Sequence, residues 1–241
     1  MAELLVTRRD RIAVLTLNRP EHGNRLTASL ANAVAAALES ARGDPQIGAC
    51  VLTGAGKVFC LGGDYRGAGP TAEGRERYAD ALIAMDRAMA RLGKPLVAAV
   101  NGDAHAGGFA TVVACDLAVA ADDATFGLPE AAHGLFPFLA LAIVKDALPK
   151  KLLFDLAYSA RLMSAGEARS ARIVNECVEP SVVLERGAAL AAQAAAHRGE
   201  IVTLGRDLYY RMSGLPPPEA LEEARRALLA ALDVADGTDR R

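Results

Sequence analysis

The fold is decided by residues 95–121, which read PLVAAVNGDAHAGGFATVVACDLAVAA. Two short apolar runs, 95–100 and 116–121, are separated by a glycine-rich loop and an apolar helical turn. Apolar runs of this length, bounded by proline, glycine or polar residues, are typical of strands that are buried on both faces. The stretch therefore predicts a β-α-β unit in a buried and mostly parallel sheet.

The same alternation continues on both sides of this stretch. Residues 3–20 predict two strands around a tight turn at Arg9-Asp10, and residues 49–54 predict a further buried strand. Thr27 is a typical N-cap residue and predicts a helix over 27–43, and a second helix is predicted over 71–93. We therefore expect residues 1–180 to form one α/β core.

The pattern changes after Pro180, where apolar residues recur at helical spacing in three successive segments. We expect residues 181–241 to form a helical C-terminal region. Its amphipathic helices either close over the sheet or pack against another subunit, and the pattern alone does not choose between these arrangements.

Composition excludes several classes of protein. The 241 residues are 52% hydrophobic and 23% charged, as in a globular chain with a substantial core. The apolar runs fall far short of the roughly 20 residues that span a bilayer, and the first ten residues lack the pattern of a secretory signal. The net charge is −2 and no Lys/Arg run exceeds two residues, which argues against nucleic acid binding. We expect a cytoplasmic protein that binds a small molecule, with no membrane or nucleic acid partner.

Motifs for several common chemistries are absent. Val51 stands where a P-loop needs glycine, and the chain contains neither G-x-G-x-x-G nor G-x-S-x-G. The four cysteines form no C-x-x-C pair, and no two of the four histidines are three or four residues apart. We therefore expect neither disulfides nor a metal site. Cys60 is a conceivable nucleophile, but without a basic neighbour it is better explained as a core thiol.

Two glycine-rich loops follow apolar strands, and ligands of open α/β sheets bind beyond the carboxyl ends of such strands. In the loop 104–108 paired glycines precede a helical turn, so the Gly107 amide can point at a ligand oxygen near the positive helix end. The loop 59–64, FCLGGD, can present a second amide at Leu61. Either loop alone could be a simple tight turn, but together they predict an oxyanion hole.

Glu130 lies in TFGLPEAAHG, residues 125–134, directly after a proline in a mostly apolar run. A lone acid in such a run is commonly structural, yet burial raises the pKa of a carboxyl and makes it a usable base. A base and two amide-rich loops meet the requirements of enolate chemistry on a thioester.

Five motifs occur in the order typical of crotonases, and they extend over about residues 10–180: LTLNRPEHGNRL, VLTGAGKVFCLGGD, KPLVAAVNGDAHAGG, ACDLAVAADDATFGLPEAAHGLFP and LMSAGEARSARIVNECV. The chain thus resembles the enoyl-CoA hydratase/isomerase family of the crotonase superfamily. The resemblance implies a crotonase-like α/β spiral of β-β-α units with a helical C-terminal region that forms trimers, which often pair into hexamers. It also implies an acyl-CoA thioester as substrate and no cofactor other than the coenzyme A of that substrate.

The resemblance also assigns roles to individual residues. It places the oxyanion amides at Leu61 and Gly107 and the acid-base carboxylate at Glu130. Eight further positions are implied in binding the substrate or its coenzyme A: His22, Arg25, Leu26, Gly62, Gly63, Asp64, Gly108 and Pro129. Arg25 replaces an alanine that is common in the family, and it either contacts a CoA phosphate or projects into solvent.

Ala110 is the main departure from the family pattern. Enoyl-CoA hydratases of this family typically carry a glutamate here, in addition to the one retained as Glu130. Hydration uses paired carboxylates, whereas migration of a double bond needs only one. We therefore expect an enoyl-CoA isomerase. The alternatives are a hydratase in which Asp64, Asp103 or His105 replaces the missing acid, and an acyl-CoA-binding protein with reduced catalysis.

Overall fold

The structure, a computed structural model, describes residues 2–239, and these residues contain ten β-strands in two sheets. The larger sheet has the strand order β1-β2-β3-β5-β7-β10. Only β1 and β2 are antiparallel in it; the other neighbours are parallel. Its strands are β1 Leu4–Arg9, β2 Ile12–Leu17, β3 Ala49–Gly54, β5 Leu96–Val100, β7 Leu117–Ala121 and β10 Glu176–Val178.

The smaller sheet has the order β4-β6-β8-β9, with only β9 antiparallel to its neighbour. Its strands are β4 Val58–Cys60, β6 Asp103–His105, β8 Thr125–Gly127 and β9 Leu162–Ser164. The strands β4, β6 and β8 follow β3, β5 and β7 directly in the chain. Each turn of the chain therefore adds one strand to each sheet, and the predicted spiral of β-β-α units is confirmed.

Nine α-helices lie within residues 2–239. The predicted cap of the first is confirmed, since the Thr27 hydroxyl accepts a hydrogen bond from the Leu30 amide at 2.9 Å. The helices are α1 Ala28–Gly43, α2 Ala72–Arg91, α3 Gly107–Ala114, α4 Phe138–Val144, α5 Lys150–Ser159, α6 Ala165–Ser170, α7 Val183–Ala195, α8 Gly199–Met212 and α9 Pro217–Asp239. None of these helices is both long and apolar enough to cross a bilayer.

The first hairpin differs slightly from the sequence prediction. Arg9 still pairs with Ile12, so the turn consists of Asp10 and Arg11 and lies one residue later than predicted. Asp10 has φ 51°, a conformation that aspartate tolerates better than most residues.

Helix α7 belongs to the core, although the sequence pattern grouped it with the C-terminal helical region. Val183 and Ala191 are fully buried. A Cβ on Gly187 would lie 2.9 Å from the Cβ of Ala99 on β5, so the helix backbone approaches the larger sheet closely. Of the two arrangements left open for the C-terminal helices, α7 therefore adopts the one in which a helix packs on the sheet. Residues 1, 240 and 241 of the predicted segments lie outside the described residues.

Candidate active site

The site lies where three parallel strands of the smaller sheet end. The glycine-rich loop 61–64 follows β4, the turn at Ala106 follows β6, and a 3-10 turn at Pro129–His133 follows β8. The Ala106 amide donates to the Gly127 carbonyl at 2.8 Å, which ties the second and third of these segments together. The carboxyl ends of the strands thus bring the predicted amide loops and Glu130 to one edge of the sheet.

The two amide loops approach each other closely. A Cβ on Gly108 would overlap the Cys60 carbonyl, so only glycine allows α3 to begin at this place. A Cβ on Gly107 would lie 3.6 Å from the Gly63 nitrogen. Within residues 2–239, neither the Gly63 amide nor the Gly107 amide has a hydrogen-bond acceptor. These two amides therefore form a pair of free donors at the start of α3, where the helix dipole favours negative charge.

The predicted role of the Leu61 amide is wrong for this structure. That amide donates to the Gly23 carbonyl at 2.9 Å and is not available to a ligand. The Gly63 amide, two residues further along, is free to donate. The prediction placed Gly63 in substrate binding, and in the structure its amide lies close to the free amide of Gly107.

The turn between β6 and α3 carries backbone strain. Ala106 has φ 54° and ψ −123°, a conformation that side-chain-bearing residues rarely adopt. The hydrogen bonds that hold it are the Ala106 amide to Gly127 at 2.8 Å and the Ala110 amide to the Ala106 carbonyl at 3.0 Å. The turn leads directly into Gly107, the first residue of α3, whose amide has no acceptor within the helix.

Glu130 is a half-buried carboxylate with an unused oxygen. Its Oε2 is the one buried side-chain oxygen or nitrogen without a hydrogen-bond partner among the side chains that the structure describes. Burial raises the pKa of the Glu130 carboxyl, and the residue's own backbone amide opposes this shift. Unpaired buried polar atoms are costly, so such an oxygen is a functional candidate.

The alternative acids are already engaged. Asp64 accepts from the Arg19 guanidinium at 3.2 Å, and Asp103 accepts from both the amide and the hydroxyl of Thr125 at 2.9 and 2.6 Å. His105 shares a 2.8 Å hydrogen bond with the same Thr125 hydroxyl, and burial lowers the pKa of its imidazole, although Asp103 opposes this. These three groups hold the sheet edge together. Ala110, by contrast, presents a buried methyl group on α3.

The predicted CoA-binding residues differ in whether they are exposed or are buried in support of the glycine loop. His22 is exposed beside the first loop, and Pro129 begins the turn that carries Glu130. Leu26 is buried, and its backbone pairs with the loop through the Gly62 carbonyl at 2.9 Å and the Asp64 amide at 2.8 Å, so it positions the loop.

Arg25 does not project freely into solvent. Its guanidinium folds back and donates to the Leu61 carbonyl at 2.7 Å. The side chain is half-buried and has no carboxylate partner among the ion pairs of the described residues. Arg25 therefore places a positive charge beside the first glycine loop.

Sequence reasoning missed Asn24 and Tyr78. Asn24 is fully buried at φ 52°, and its side-chain amide donates to the carbonyls of Ala55 and Val58 at 2.9 and 2.7 Å. It anchors the loop before β4, and its place in a short polar run was its only local signal. Tyr78 lies on α2 with its hydroxyl against Gly63, and nothing in the helical pattern distinguishes it.

Cys60 is a core thiol, as predicted. It is fully buried under the first loop, and burial raises the pKa of its thiol to about 11. A thiol that stays protonated is a poor nucleophile. Among the described residues, no group of three or more His, Cys, Asp or Glu side chains is arranged to hold a metal ion.

Comparison with known proteins identifies consistent relatives. The family model "Enoyl-CoA hydratase/isomerase" matches residues 7–233. A putative enoyl-CoA hydratase of Thermus thermophilus is 35% identical over 92% of this chain and 87% of its own length. The 2,3-dehydroadipyl-CoA hydratase of Escherichia coli is 32% identical over 98% of this chain and 85% of its own.

Solved structures give the same result. The crystal structure of an enoyl-CoA hydratase of Mycobacterium smegmatis aligns with a TM-score of 0.92 at 28% identity. The alignment covers 100% of this chain and 98% of that one. The predicted fold and the resemblance are both confirmed by these matches.

Proposed function

The chain belongs to the enoyl-CoA hydratase/isomerase family of acyl-CoA-processing enzymes, and from this premise we propose that it shifts the double bond of an enoyl-CoA thioester with Glu130 as its single acid-base group. The observation that carries the proposal is the unpaired buried Oε2 of Glu130, in a chain whose residue 110 is alanine. The chemistry then uses protein groups and the thioester alone, without a further cofactor.

In this proposal the thioester oxygen is held by the amides of Gly63 and Gly107. Glu130 removes a proton from the α-carbon of a 3-enoyl thioester, and the electron pair spreads over the thioester and the double bond as a dienolate. The protonated Glu130 then returns the proton at the γ-carbon, which yields the 2-enoyl thioester. Each oxyanion donor is expected to lower the barrier by about 3 kcal/mol.

The raised pKa of Glu130 suits both halves of this cycle. A general acid-base group is most effective when its pKa lies near the working pH, because it must both accept and return the proton. Burial moves the Glu130 pKa in that direction. The Asp64 and Asp103 carboxylates do not share the work, since each is bound to another side chain.

Hydration is a second candidate, favoured by the names of the relatives. The matched proteins include several enoyl-CoA hydratases and a carnitinyl-CoA dehydratase of Escherichia coli at 33% identity. Water addition requires a base for the water and an acid for the α-carbon, so Glu130 would have to perform both in succession. Asp64, Asp103 and His105 are each hydrogen-bonded to another side chain, which argues against any of them as a replacement acid.

The test follows 3-enoyl-CoA and 2-enoyl-CoA esters of several chain lengths by proton NMR in D₂O, with wild type and Glu130→Gln. The proposal predicts bond migration that depends on Glu130 and exceeds water addition. A 3-hydroxyacyl product as the main outcome would replace the isomerase by the hydratase. Binding of CoA esters without turnover of any substrate would leave an acyl-CoA-binding protein and contradict both enzymes.

A further inference from the structure

Tyr78 places a hydroxyl group at the oxyanion loop. The residue lies in α2, and the hydroxyl end of its side chain lies against Gly63 of the loop 61–64. A methyl group on Gly63 would overlap the Tyr78 hydroxyl, with the ring carbon that bears it 3.3 Å away. The hydroxyl thus occupies the space beside Gly63, whose amide is one of the two free donors of the site.

This hydroxyl has no hydrogen-bond partner within residues 2–239. The side chain is half-buried, so its hydroxyl is able to donate to a ligand. The ring also borders a cavity of about 180 Å³ that is lined by Thr27, Asp64 and Gly74 among others. The Tyr78 hydroxyl and the neighbouring Gly63 amide are thus both free donors, and an oxygen atom of a ligand can accept from them.

The charge state of Tyr78 defines what it can do. Burial raises the pKa of its phenol to about 12, with Asp64 and Cys60 acting in the same direction and Arg25 opposing them. The phenol therefore remains protonated at neutral pH. It can donate a hydrogen bond, but it cannot take the place of the missing carboxylate as a base.

We propose that the Tyr78 hydroxyl is a third hydrogen-bond donor to the thioester oxygen, alongside the amides of Gly63 and Gly107. This role rests on the proposed function, because it requires a thioester in the amide pocket. A donor aimed at the developing enolate charge stabilises the transition state more than the bound substrate. Tyr78 would partly offset the loss of the second carboxylate by making the enolate easier to form with one base.

The test compares wild type, Tyr78→Phe and Glu130→Gln, with Tyr209→Phe as a matched control that removes an exposed hydroxyl from α8. Two quantities are measured: α-proton exchange of butyryl-CoA in D₂O, and the infrared carbonyl stretch of bound crotonyl-CoA labelled with ¹³C at the thioester carbon. Circular dichroism and thermal unfolding check that each variant is folded. Phenylalanine keeps the ring of Tyr78, so the packing of α2 is retained.

The proposal predicts that Tyr78→Phe lowers kcat for exchange by tenfold or more, with KM changed by less than about threefold, as for loss of an oxyanion donor. The carbonyl stretch should move back toward its value in water. It is overturned if Tyr78→Phe matches Tyr209→Phe in both measurements. If Glu130→Gln exchanges protons like wild type, the proposed function fails, and the carbonyl stretch still decides the role of Tyr78.

Discussion

Glu130 governs the expected pH dependence of activity. The base form of its carboxyl is needed to remove the α-proton, and burial raises its pKa above the ordinary value of 4.5. We predict that kcat/KM for proton exchange rises with pH through this raised pKa, so that the acid limb of the profile lies above pH 4.5. The profile is measured with butyryl-CoA. An acid limb at or below the ordinary glutamate value would contradict the assignment.

The raised pKa of Glu130 also predicts how stability depends on pH: stability should fall as pH rises, whereas activity should increase. Its pKa is higher in the folded than in the unfolded chain, so the folded state binds more protons between the two values. Its contribution to the unfolding free energy is therefore present below the unfolded pKa and lost as pH rises through the folded pKa. At pH 8, Glu130→Gln should have its unfolding midpoint at a higher urea concentration than wild type. The two midpoint concentrations should converge near about pH 4. A difference that is constant with pH would exclude this explanation.

A substitution at Ala110 can restore the missing carboxylate. In Ala110→Glu we expect water addition to crotonyl-CoA to increase at least tenfold, since one acid-base group contributes about 10²–10⁴ in rate. Ala110→Gln is the matched control, because it introduces nearly the same volume without an acid. Both variants should be destabilised by about 1–3 kcal/mol through overpacking at this buried position. Equal hydration by the glutamine variant would contradict the assignment.

At single residues, the sequence predicted those parts of the site that have a local signal. Glu130 follows a proline and Gly107 begins a helix, and both lie at the predicted edge of the sheet. The role assigned to the Leu61 amide was wrong because this amide donates to the Gly23 carbonyl, which comes from a distant part of the chain. Tyr78 was missed for a similar reason, since its contact with Gly63 depends on how α2 packs under the loop.

Among the elements, α8 is tied to the core by a buried arginine. The Arg206 side chain is 7% exposed and pairs with Asp116 at 2.8 Å. It also donates to the carbonyls of Ala90 and Met89, at 2.8 and 2.7 Å, near the end of α2. A cation at a helix C-terminus interacts favourably with the helix dipole. Arg206 thus joins α2, α8 and the segment before β7.

We predict that Arg206→Met destabilises the protein by about 3 kcal/mol, because it leaves two helix carbonyls without a side-chain donor and Asp116 without its cationic partner. Arg206→Lys should recover only part of this loss, since an ammonium group cannot reproduce the several directed hydrogen bonds of the guanidinium. Urea unfolding of the three proteins gives the comparison. Full recovery by lysine would show that charge alone, rather than the directed contacts, holds α8.

The elements with clear periodicity were predicted well, whereas most of the three-residue strands were not. α1, α2 and the buried strands β3, β5 and β7 agree with their sequence patterns. The strands of the smaller sheet have only three residues each, too few for a periodic signal. β4 and β6 were therefore treated as loop, and the second layer of the spiral came from the family resemblance rather than from the pattern.

At the scale of the whole molecule, the apolar face of α9 predicts assembly. Leu221, Leu228 and Leu232 are 71%, 59% and 51% exposed, and their spacing places them along one face of the helix. Exposed apolar stripes of this kind mark protein contacts. The trimer expected from the family resemblance stays a prediction, and this face is the surface we propose for it.

We predict a mass in solution of three or six times the 25.1 kDa chain, measured by light scattering with size-exclusion chromatography. Leu228→Glu combined with Leu232→Glu should lower this mass, because it places charges in the contact. Val6→Glu, at a 55% exposed position on β1, is the control and should not change it. A wild-type monomer would contradict the proposed assembly.

The central claim is that Glu130 alone forms the enolate of a thioester held by backbone amides. The most direct measurement is α-proton exchange of butyryl-CoA in D₂O, because a saturated thioester can neither isomerise nor add water. The account predicts exchange by wild type and a loss of at least 10³-fold in Glu130→Gln with binding retained, of the order seen when a catalytic acid-base group is removed. Exchange by Glu130→Gln at the wild-type rate would contradict the account.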